Sequence, residues 1–503
     1  MFIVTAKEMY DIDKFAMQEI GLDGKLLMEN AGRAVAEKIT AMSSKQEKIC
    51  VLAGAGNNGG DGFVIARTMM DQGYHIHVLQ VVPDSKIRGD ASFHKRIYEN
   101  CGGSLSLFDG IDGTEVLDAD IIIDAMIGIG VKGELREPLL SLVSLINQQT
   151  KKVISVDVPS GLPADEGTVE FSAVEATYTF IIGAPKISAF LNHTSPYYGT
   201  WELVSIGLPK KAFQLSTSKS IWNETNVRDC FPGRKPDDHK GTHGKGLVIG
   251  GCTEMPGALS MTLKAALRAG AGLITGATSE HVINRIASTN VEATYAVLST
   301  TDGFINNDSK VNVQDYDAIA LGMGMGRKAF TSELVRDVVS EANCPIIIDG
   351  DGLHHIQPYL TSLKRRKSPT IMTPHPREMA MLLGANVNEI LVEPFRYASE
   401  FARKFDVYLV LKGMYSIITS PEGKQSVNMT GNPGLAKGGS GDVLTGIILA
   451  MIMQRQDMFD AICNACYVHG KSADLLIKHQ HSHHDLLASD VIDGIANVYR
   501  TIS

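Results

Sequence analysis

The sequence predicts two α/β domains in one chain, each built on a mainly parallel sheet covered by helices. Three observations predict this fold class. Short runs rich in β-branched residues alternate with helix-length amphipathic stretches along most of the chain, the pattern of βα units. The chain has 503 residues, more than one ordinary core organises. The alternation also breaks once, across 208–246, where Lys, Asp, Ser, Thr and Pro dominate, as in Lys235-Pro-Asp-Asp-His-Lys240, and then restarts. A boundary near 210–240 follows, with domains over 1–215 and 225–503. No fixed-period repeat runs through the chain, which excludes a solenoid.

In the N-terminal half, strands are expected at 49–53, 75–82, 121–124, 152–157 and 176–182. Each is a short apolar or β-branched run set off by glycines or charged amphipathic stretches, as a sheet covered on both faces requires. The second half restarts with a strand at 246–251 and continues with 318–321, 345–349, 370–373 and 408–411, with 416–419 as an additional strand. The longest apolar run, 443–453, is interrupted by Thr445 and followed by Arg455, so it is too short to span a bilayer. Residues 459–476 also read as helix, and the single CxxC of the chain, Cys463 and Cys466, falls inside it as two small buried residues.

Composition narrows the function classes. A net charge of −9 argues against non-specific nucleic-acid binding. Seven cysteines without framework spacing suit a reducing cytosol. Residues 1–18 mix Lys, Glu and Asp with apolar residues and lack a signal-peptide core, so a cytoplasmic protein without membrane attachment is expected. The short basic run 364–367 reads as a solvated helix end, and the four histidines of 479–485 as an exposed loop rather than a chelating tract.

The segment Asn432-Pro-Gly-Leu-Ala-Lys-Gly-Gly-Ser-Gly-Asp442 runs directly into the apolar helix. A glycine-rich turn opening a helix gathers backbone N–H groups and the positive end of the helix dipole at one point, which suits a phosphate. Asp442 at its edge would repel that phosphate unless it has a compensating role. Taking a proton from a hydroxyl that attacks the phosphate is such a role. The spacing is not Gly-x-x-x-x-Gly-Lys-Ser/Thr, so an ordinary P-loop is excluded. Other strand ends of this half carry Gly322-Met-Gly-Met-Gly326, Asp349-Gly-Asp351, Pro374-His-Pro-Arg-Glu378 and Lys412-Gly413. Proline on both sides of His375 would hold its imidazole at a cleft edge, and Lys412 is placed to reach a nucleotide phosphate.

In open parallel sheets, ligands sit at the carboxyl ends of the strands near the switch in strand order. Three N-terminal strand ends carry polar residues: Gly54-Ala-Gly-Asn-Asn-Gly-Gly-Asp-Gly62, Asp124 with Gly128-Ile-Gly130, and Asp157-Val-Pro-Ser160. The first matches the Gly-x-Gly-x-x-Gly dinucleotide fingerprint, but the acidic residue expected about 20 positions on is missing. Oxygens of Asn58, Asp124 and Ser160 could instead surround a hard monovalent cation, while the glycine amides hold a phosphate.

Leu27-Met-Glu-Asn-Ala-Gly-Arg33, the 57–62 loop, Val156-Asp-Val-Pro-Ser-Gly-Leu162 and Gly183-Ala-Pro-Lys186 together resemble the YjeF N-terminal family, the NAD(P)HX epimerases, over residues 1–209. The resemblance implies a Rossmann-like three-layer sandwich. It implies that Asn57, Asn58, Gly59, Gly60, Asp61, Gly128, Ile129, Gly130, Val131, Lys132, Gly133, Glu134 and Asp157 contact the hydrated cofactor. It also implies K+ held by Asn58, Asp124 and Ser160. Ile129 departs from the family, which usually has Thr there. Likewise Lys240-Gly-Thr-His-Gly-Lys-Gly246, Ala265-Ala-Leu-Arg-Ala-Gly-Ala-Gly-Leu273, Thr373-Pro-His-Pro376 and the 431–442 run resemble the NAD(P)HX dehydratases over 229–503. This implies a ribokinase-like three-layer α/β/α domain, with Ala258, Gly322, His375 and Asp442 facing the hydrated nucleotide. Lys412, Gly413, Met414, Tyr415, Asn432, Pro433, Gly434, Leu435, Ala436, Lys437, Gly438, Gly439, Ser440 and Gly441 would line ADP. Arg377 and Tyr415 stand where the family commonly has smaller residues.

Both halves in this order resemble the bifunctional NAD(P)H-hydrate repair enzymes. The substrates implied are NADHX and NADPHX, the reduced cofactors with water added at C6 of the nicotinamide ring. The first domain would interconvert their R and S forms, with Asp157 stabilising a cation or moving a proton. The second would dehydrate the S form, with Asp442 as base, ADP as phosphoryl donor in fused members, and Mg2+ on the phosphates. A homo-oligomer without a nucleic-acid partner is expected. The competing reading is a ribokinase-superfamily small-molecule kinase fused to a non-catalytic nucleotide-binding module. Its product would keep the phosphate, whereas the repair reaction sets phosphate free.

Overall fold

The computed structural model describes residues 1–108, 113–131, 133–308 and 311–502. Its contacts divide into two compact units, Phe2–Ser218 and Lys219–Ser503, with Met1 joining the second.

In the N-terminal unit the sheet runs, from one edge, Leu105–Leu107, His75–Gln80, Lys48–Ala53, Ile121–Ala125, Lys152–Val156, Tyr178–Ile182 and Thr200–Val204. Every pairing among them is parallel. Period-two alternation sorts each apolar strand between two cores. Ile49, Val51 and Ala53 pack on one face and Cys50 and Leu52 on the other; Ile121 and Ile123 oppose Ile122 in the same way. Each such fully buried aliphatic side chain contributes about 1.5–3 kcal/mol relative to exposure. Strand order reverses between Lys48–Ala53 and Ile121–Ala125, so a crevice opens at their carboxyl ends. The five expected strands are present. The two edge strands were not foreseen: Leu105–Leu107 has three residues, and Thr200–Val204 is mostly exposed or half-buried.

The sheet of the C-terminal unit runs Lys219–Trp222, Gln425–Asn428, Ser416–Thr419, Tyr408–Leu411, Thr370–Met372, Ile346–Ile348, Ala318–Leu321, Lys245–Ile249, Leu273–Thr278 and Thr294–Val297. From Tyr408–Leu411 to Thr294–Val297 the pairings are parallel, while Ser416–Thr419 is antiparallel to both its neighbours. The helix Ser440–Ile452 is buried along its length after the first turn. Its backbone meets that of the helix Pro256–Arg268: a Cβ added at Gly446 would lie 2.4 Å from the Thr262 carbonyl oxygen.

Two expectations need correcting here. The polar stretch 208–246 is not a plain connection, because it carries Lys210–Ser216, Lys219–Trp222, Glu224–Cys230 and the short 3-10 turn Lys240–His243. Trp222 anchors it by donating its indole N–H to Asn464 Oδ1 at 2.9 Å. The run 364–367 is not wholly solvated either. Arg366 turns inward and caps carbonyls of Val339, Ala342 (3.1 Å) and Cys344 (2.8 Å). Cys463 and Cys466 are free and buried in the helix Met458–His479, and burial pushes the Cys466 thiol up to about 12, as structural cysteines require. In the histidine loop, His481 pairs with Asp485 at 2.7 Å. Among the described residues no three His, Cys, Asp or Glu side chains are grouped to hold a metal ion. No helix among them is long and apolar enough to cross a membrane.

Candidate functional site

At the N-terminal switch point, the strand Lys48–Ala53 leads into 54–56 and then the helix Asn57–Asp71, whose N-cap Gly56 supplies no side-chain cap. Its first amides are therefore free for a ligand. A cavity of about 820 Å3 opens here, lined by Asn57, Asn58, Asp61, Gly128, Ile129, Gly130, Asp157 and Lys186 among others. Gly59 and Gly60 lie beneath the lining. A Cβ at Gly59 would sit 2.0 Å from the Gly54 carbonyl oxygen, so this glycine lets the helix pack on its own entry loop. Val131, Gly133 and Glu134 border a neighbouring cavity of about 490 Å3. Lys132 lies outside the described residues.

Asp157 has a left-handed backbone, φ 70°, a conformation that costs about 1–3 kcal/mol away from glycine. Its surroundings hold it there. The Asp157 amide donates to the Phe180 carbonyl at 2.8 Å, and Asp157 Oδ1 accepts from the Ile182 amide at 3.0 Å and from Lys186 Nζ. Lys186 is fully buried and also donates to the Ile182 carbonyl at 3.1 Å. The motif containing Lys186 was visible in the sequence, but its pairing with Asp157 was not. Asp13, on the helix Ala6–Gln18, lines the same cavity and had no sequence signal at all. Burial raises its carboxyl to about 6, with Lys186 opposing and Asp157 adding to the rise. Burial, then Asp157 and Asp13, drive the Asp61 carboxyl well above its ordinary value.

Below the cavity, Asp124 is fully buried and accepts from Ser155 Oγ (2.8 Å), the Ser160 amide (2.8 Å), Ser160 Oγ (2.5 Å) and the Met126 amide (3.3 Å). Burial raises its carboxyl and these hydrogen bonds lower it, with burial prevailing. Asn58 donates through Nδ2 to the Val156 carbonyl at 2.6 Å, which leaves Asn58 Oδ1 buried with no hydrogen-bond partner. Asn58 Oδ1, Asp124 and Ser160 offer only oxygen donors, the kind of set that a hard monovalent cation would satisfy.

In the C-terminal unit the helix Ser440–Ile452 starts from Gly439, whose φ of 93° suits glycine, and Asp442 sits in its first turn. Burial raises the Asp442 carboxyl to about 7, helped by Asp349 and Asp351 and opposed by Lys412. The parallel strands deliver the partners. Asp349, after Ile346–Ile348, accepts from Lys412 Nζ at 2.9 Å and from Thr445 Oγ1 at 2.8 Å. Burial alone would raise Asp349, but the Lys412 ammonium and the hydrogen bonds donated to the carboxylate together outweigh it, and the carboxyl ends below its ordinary value. Burial likewise depresses Lys412, yet Asp349 and Glu378 hold it charged and above its usual range. Lys412 Nζ lies 3.3 Å from where a Cβ on Gly441 would stand, so the ammonium underlies the glycine turn.

Around this centre the expected residues are unequally placed. Gly322, φ 122°, abuts the 349–352 turn, with its pro-Cβ position 2.0 Å from the Asp349 carbonyl oxygen. Ala258 packs beside Gly324. His375 caps the helix Pro376–Leu383: Nδ1 accepts from the Arg377 (3.2 Å) and Glu378 (3.3 Å) amides, which puts the proton of the neutral ring on Nε2. Gly413 and Met414 are exposed and Tyr415 half-buried. Asn432 is held by Asp474, which accepts from Asn432 Nδ2 (2.9 Å) and from the Gly431 amide (3.0 Å), and the turn Pro433–Leu435 follows. Lys437 turns away to the His484 carbonyl at 2.6 Å, while Ala436 and Gly438 are exposed. Asp474 and Thr445 were not foreseen as site residues. Nor was His469, whose buried imidazole, facing Ser440, is pushed down to about 4 by burial and by Lys412.

Residues 246–497 match the family described as NAD(P)H-hydrate dehydratase, and 24–188 the family described as YjeF-related protein N-terminus. A bifunctional NAD(P)H-hydrate repair enzyme of Moorella thermoacetica is 33% identical over 516 residues, covering 100% of this chain and 97% of its own. The chain belongs to the bifunctional NAD(P)H-hydrate repair enzymes. A second member, from Thermofilum pendens, is 32% identical and covers 94% of this chain and 92% of its own. An ADP/ATP-dependent NAD(P)H-hydrate dehydratase from Bacillus subtilis, solved after co-crystallisation with ATP and Mg2+, aligns with a TM-score of 0.51 at 37% identity. It covers 56% of this chain and 99% of that one. A ribokinase-like protein from Enterococcus faecalis, at 23% identity and a TM-score of 0.50, shares the fold. Membership over the whole chain decides against a small-molecule kinase with a non-catalytic appendage.

Proposed function

We propose that the N-terminal unit interconverts the R and S forms of NADHX and NADPHX, and that the C-terminal unit dehydrates the S form to NAD(P)H with ADP, releasing AMP and phosphate. The observation that carries the dehydratase reading is Asp442. Its carboxyl is raised to about 7 at the mouth of a helix whose preceding glycine amides suit a phosphate. Asp442 takes the proton of the C6 hydroxyl, which attacks the terminal phosphoryl group, while the amides of Gly438–Gly441 meet the charge developing there. The ring nitrogen then expels phosphate, a far better leaving group than hydroxide, and loss of the C5 proton restores the reduced ring. Mg2+ bound with the nucleotide supplies charge neutralisation on the phosphates. Lys412, tied to Asp349, supports the glycine turn from below rather than reaching out as a free phosphate ligand.

In the epimerase site, Asn58 Oδ1, Asp124 and Ser160 would hold K+, which supplies the positive charge that a buried carboxylate and an orphaned oxygen call for. Asp157, fixed by Lys186 and the Ile182 amide, places a carboxylate against the ring carbon that changes configuration. The adenosine half is assigned to the neighbouring cavity bordered by Val131, Gly133 and Glu134. A homo-oligomer belongs to the same reading, and sedimentation of the full chain decides it.

Asp157→Ala is expected to abolish interconversion of the R and S hydrates while dehydration of pure S hydrate continues at its usual rate. Chiral chromatography of the hydrates and absorbance of the reduced nicotinamide follow the two. A collapse of dehydration in the folded variant would overturn the two-site account. The donor is tested by nucleotide substitution. Asp442 and the glycine turn set where the transferred phosphoryl sits, and the nucleotide's other end is set by 412–415. A fixed span suits two phosphates or three, seldom both, since a displacement of about 1 Å can cost about a hundredfold. Turnover with ADP should exceed turnover with ADP-free ATP, with AMP as product; equal or faster turnover with ATP would reverse the choice of donor.

A further inference from the structure

Three carboxyl groups from three separate elements line the N-terminal cavity: Asp13 on the helix Ala6–Gln18, Asp61 on the helix Asn57–Asp71, and Asp157 beyond the strand Lys152–Val156. Lys186 is committed to Asp157. Asp13 and Asp61 have no ion pair among the described residues. We propose that Asp13 is the general acid and base of the epimerisation, protonating the C6 hydroxyl as it departs and recovering that proton from the water that returns. The assignment rests on the epimerase reading of this unit.

The step balances within the cavity. The Asp13 carboxyl gives its proton to the C6 oxygen, the C6–O bond breaks, and water leaves. The lone pair of the ring nitrogen closes a C6=N1 iminium, which the fixed Asp157 carboxylate stabilises. Water then adds to the opposite face, the C6=N1 pair returns to nitrogen, and the surplus proton passes around the ring through solvent water to the Asp13 carboxylate. No oxidant or second substrate is needed.

The other two carboxyls are less suited to this work. Asp157 Oδ1 is already engaged by the Lys186 ammonium and the Ile182 amide, which hold it in place. Asp61 is 8% exposed, buried more deeply than Asp13, and burial drives its carboxyl well above its ordinary value. Asp13 is half-buried at the cavity wall. Burial, set against Lys186 and joined by Asp157, holds its carboxyl near 6, where one group can both give and accept a proton at working pH. The charged groups bearing on it are Lys186 and Asp157, and from the helix Asn57–Asp71 the carboxyl of Asp61. Arg88 and Asp90 line the same cavity. Asp165 accepts from the Ala6 amide at 2.8 Å at the start of the Asp13 helix. Lys210 and Lys211, on the helix Lys210–Ser216 that packs on the Asp13 helix, are exposed to solvent.

The test measures R–S interconversion against pH in the full chain carrying Asp13→Asn or Asp13→Glu, with dehydration of S hydrate as an internal control. In the unaltered chain kcat/KM should fall as pH rises through about 6, because the acid form of Asp13 is required. Asp13→Asn should lower kcat by at least about a hundredfold, with KM little changed, and erase that limb. Asp13→Glu should restore most of the rate with the limb displaced. A variant Asn chain that keeps the limb, or turns over normally, would overturn the proposal. Should the Asn variant fail to fold, the Glu variant decides alone, since an undisplaced limb would overturn the proposal equally. Loss of interconversion in Asp157→Ala alongside normal turnover in Asp13→Asn would reject Asp13 and leave the epimerase reading standing. Normal turnover in both would reject the epimerase site itself.

Discussion

Asp442→Asn should reduce dehydration of the S hydrate by at least about a hundredfold while ADP still binds, because the amide keeps the shape of the carboxylate and loses its basicity. Single-turnover release of phosphate measures the chemistry, and calorimetric titration with ADP measures binding. The same residue sets a pH dependence. A base must be ionised to work, and burial beside Asp349 holds Asp442 near 7, so kcat/KM for dehydration should rise with pH through about 7 and then level off. A flat profile across neutrality, or near-normal turnover in the folded variant, would remove Asp442 from the role.

The second large effect is expected at Lys412. Its ammonium and the Asp349 carboxylate are 2.9 Å apart and mostly buried. Removing one partner of such a pair leaves the other charge stranded, a loss of about 3–5 kcal/mol, whereas replacing both can be near neutral. Lys412→Met should therefore destabilise the C-terminal unit by about that amount, and Lys412→Met with Asp349→Leu should recover much of it. Trp222 belongs to this unit and Trp201 to the other, so Trp222 fluorescence in a Trp201→Phe background reads the relevant transition. Lys412 also opposes the rise of the Asp442 carboxyl. Without it, the rising limb of the dehydration profile should move to higher pH. If stability and limb both stay put, the ion pair is not what organises the site.

Much of this was legible in the chain because the signals were local. The strands Ala318–Leu321, Tyr408–Leu411 and Ser416–Thr419 stand where the sequence places them, since each is a compact aliphatic run between clear breaks. Gln425–Asn428 was not legible: Gln-Ser-Val-Asn is polar, yet all four residues are buried, with Gln425 satisfied by the Phe395 carbonyl and Asn428 by the Cys466 carbonyl. Leu273–Thr278 was hidden by its interior glycine, and Gly276 sits under Leu263, whose Cδ1 would lie 3.0 Å from an added Cβ. In the sites, the glycine turns and the acids at strand ends announced themselves by spacing. The partnerships did not. Lys412 with Asp349, Asn432 with Asp474 and Lys186 with Asp157 join residues tens of positions apart, and only the fold brings them into contact. Asp13 was hidden for a different reason: one acid on an amphipathic helix looks like ordinary solvent-facing polarity until a cavity opens beside it.

The strand Lys219–Trp222 has a practical bearing on how the dehydratase half can be made alone. It covers the ladder of Gln425–Asn428 over four paired positions. A truncation starting at 225, the domain start expected from the sequence, would strip that cover and leave a row of open N–H and C=O groups beside the buried Val427. Such an open rim recruits other chains. Protein cut at 225 should be prone to self-association, while protein cut at 219 retains both the protecting strand and its Trp222 anchor.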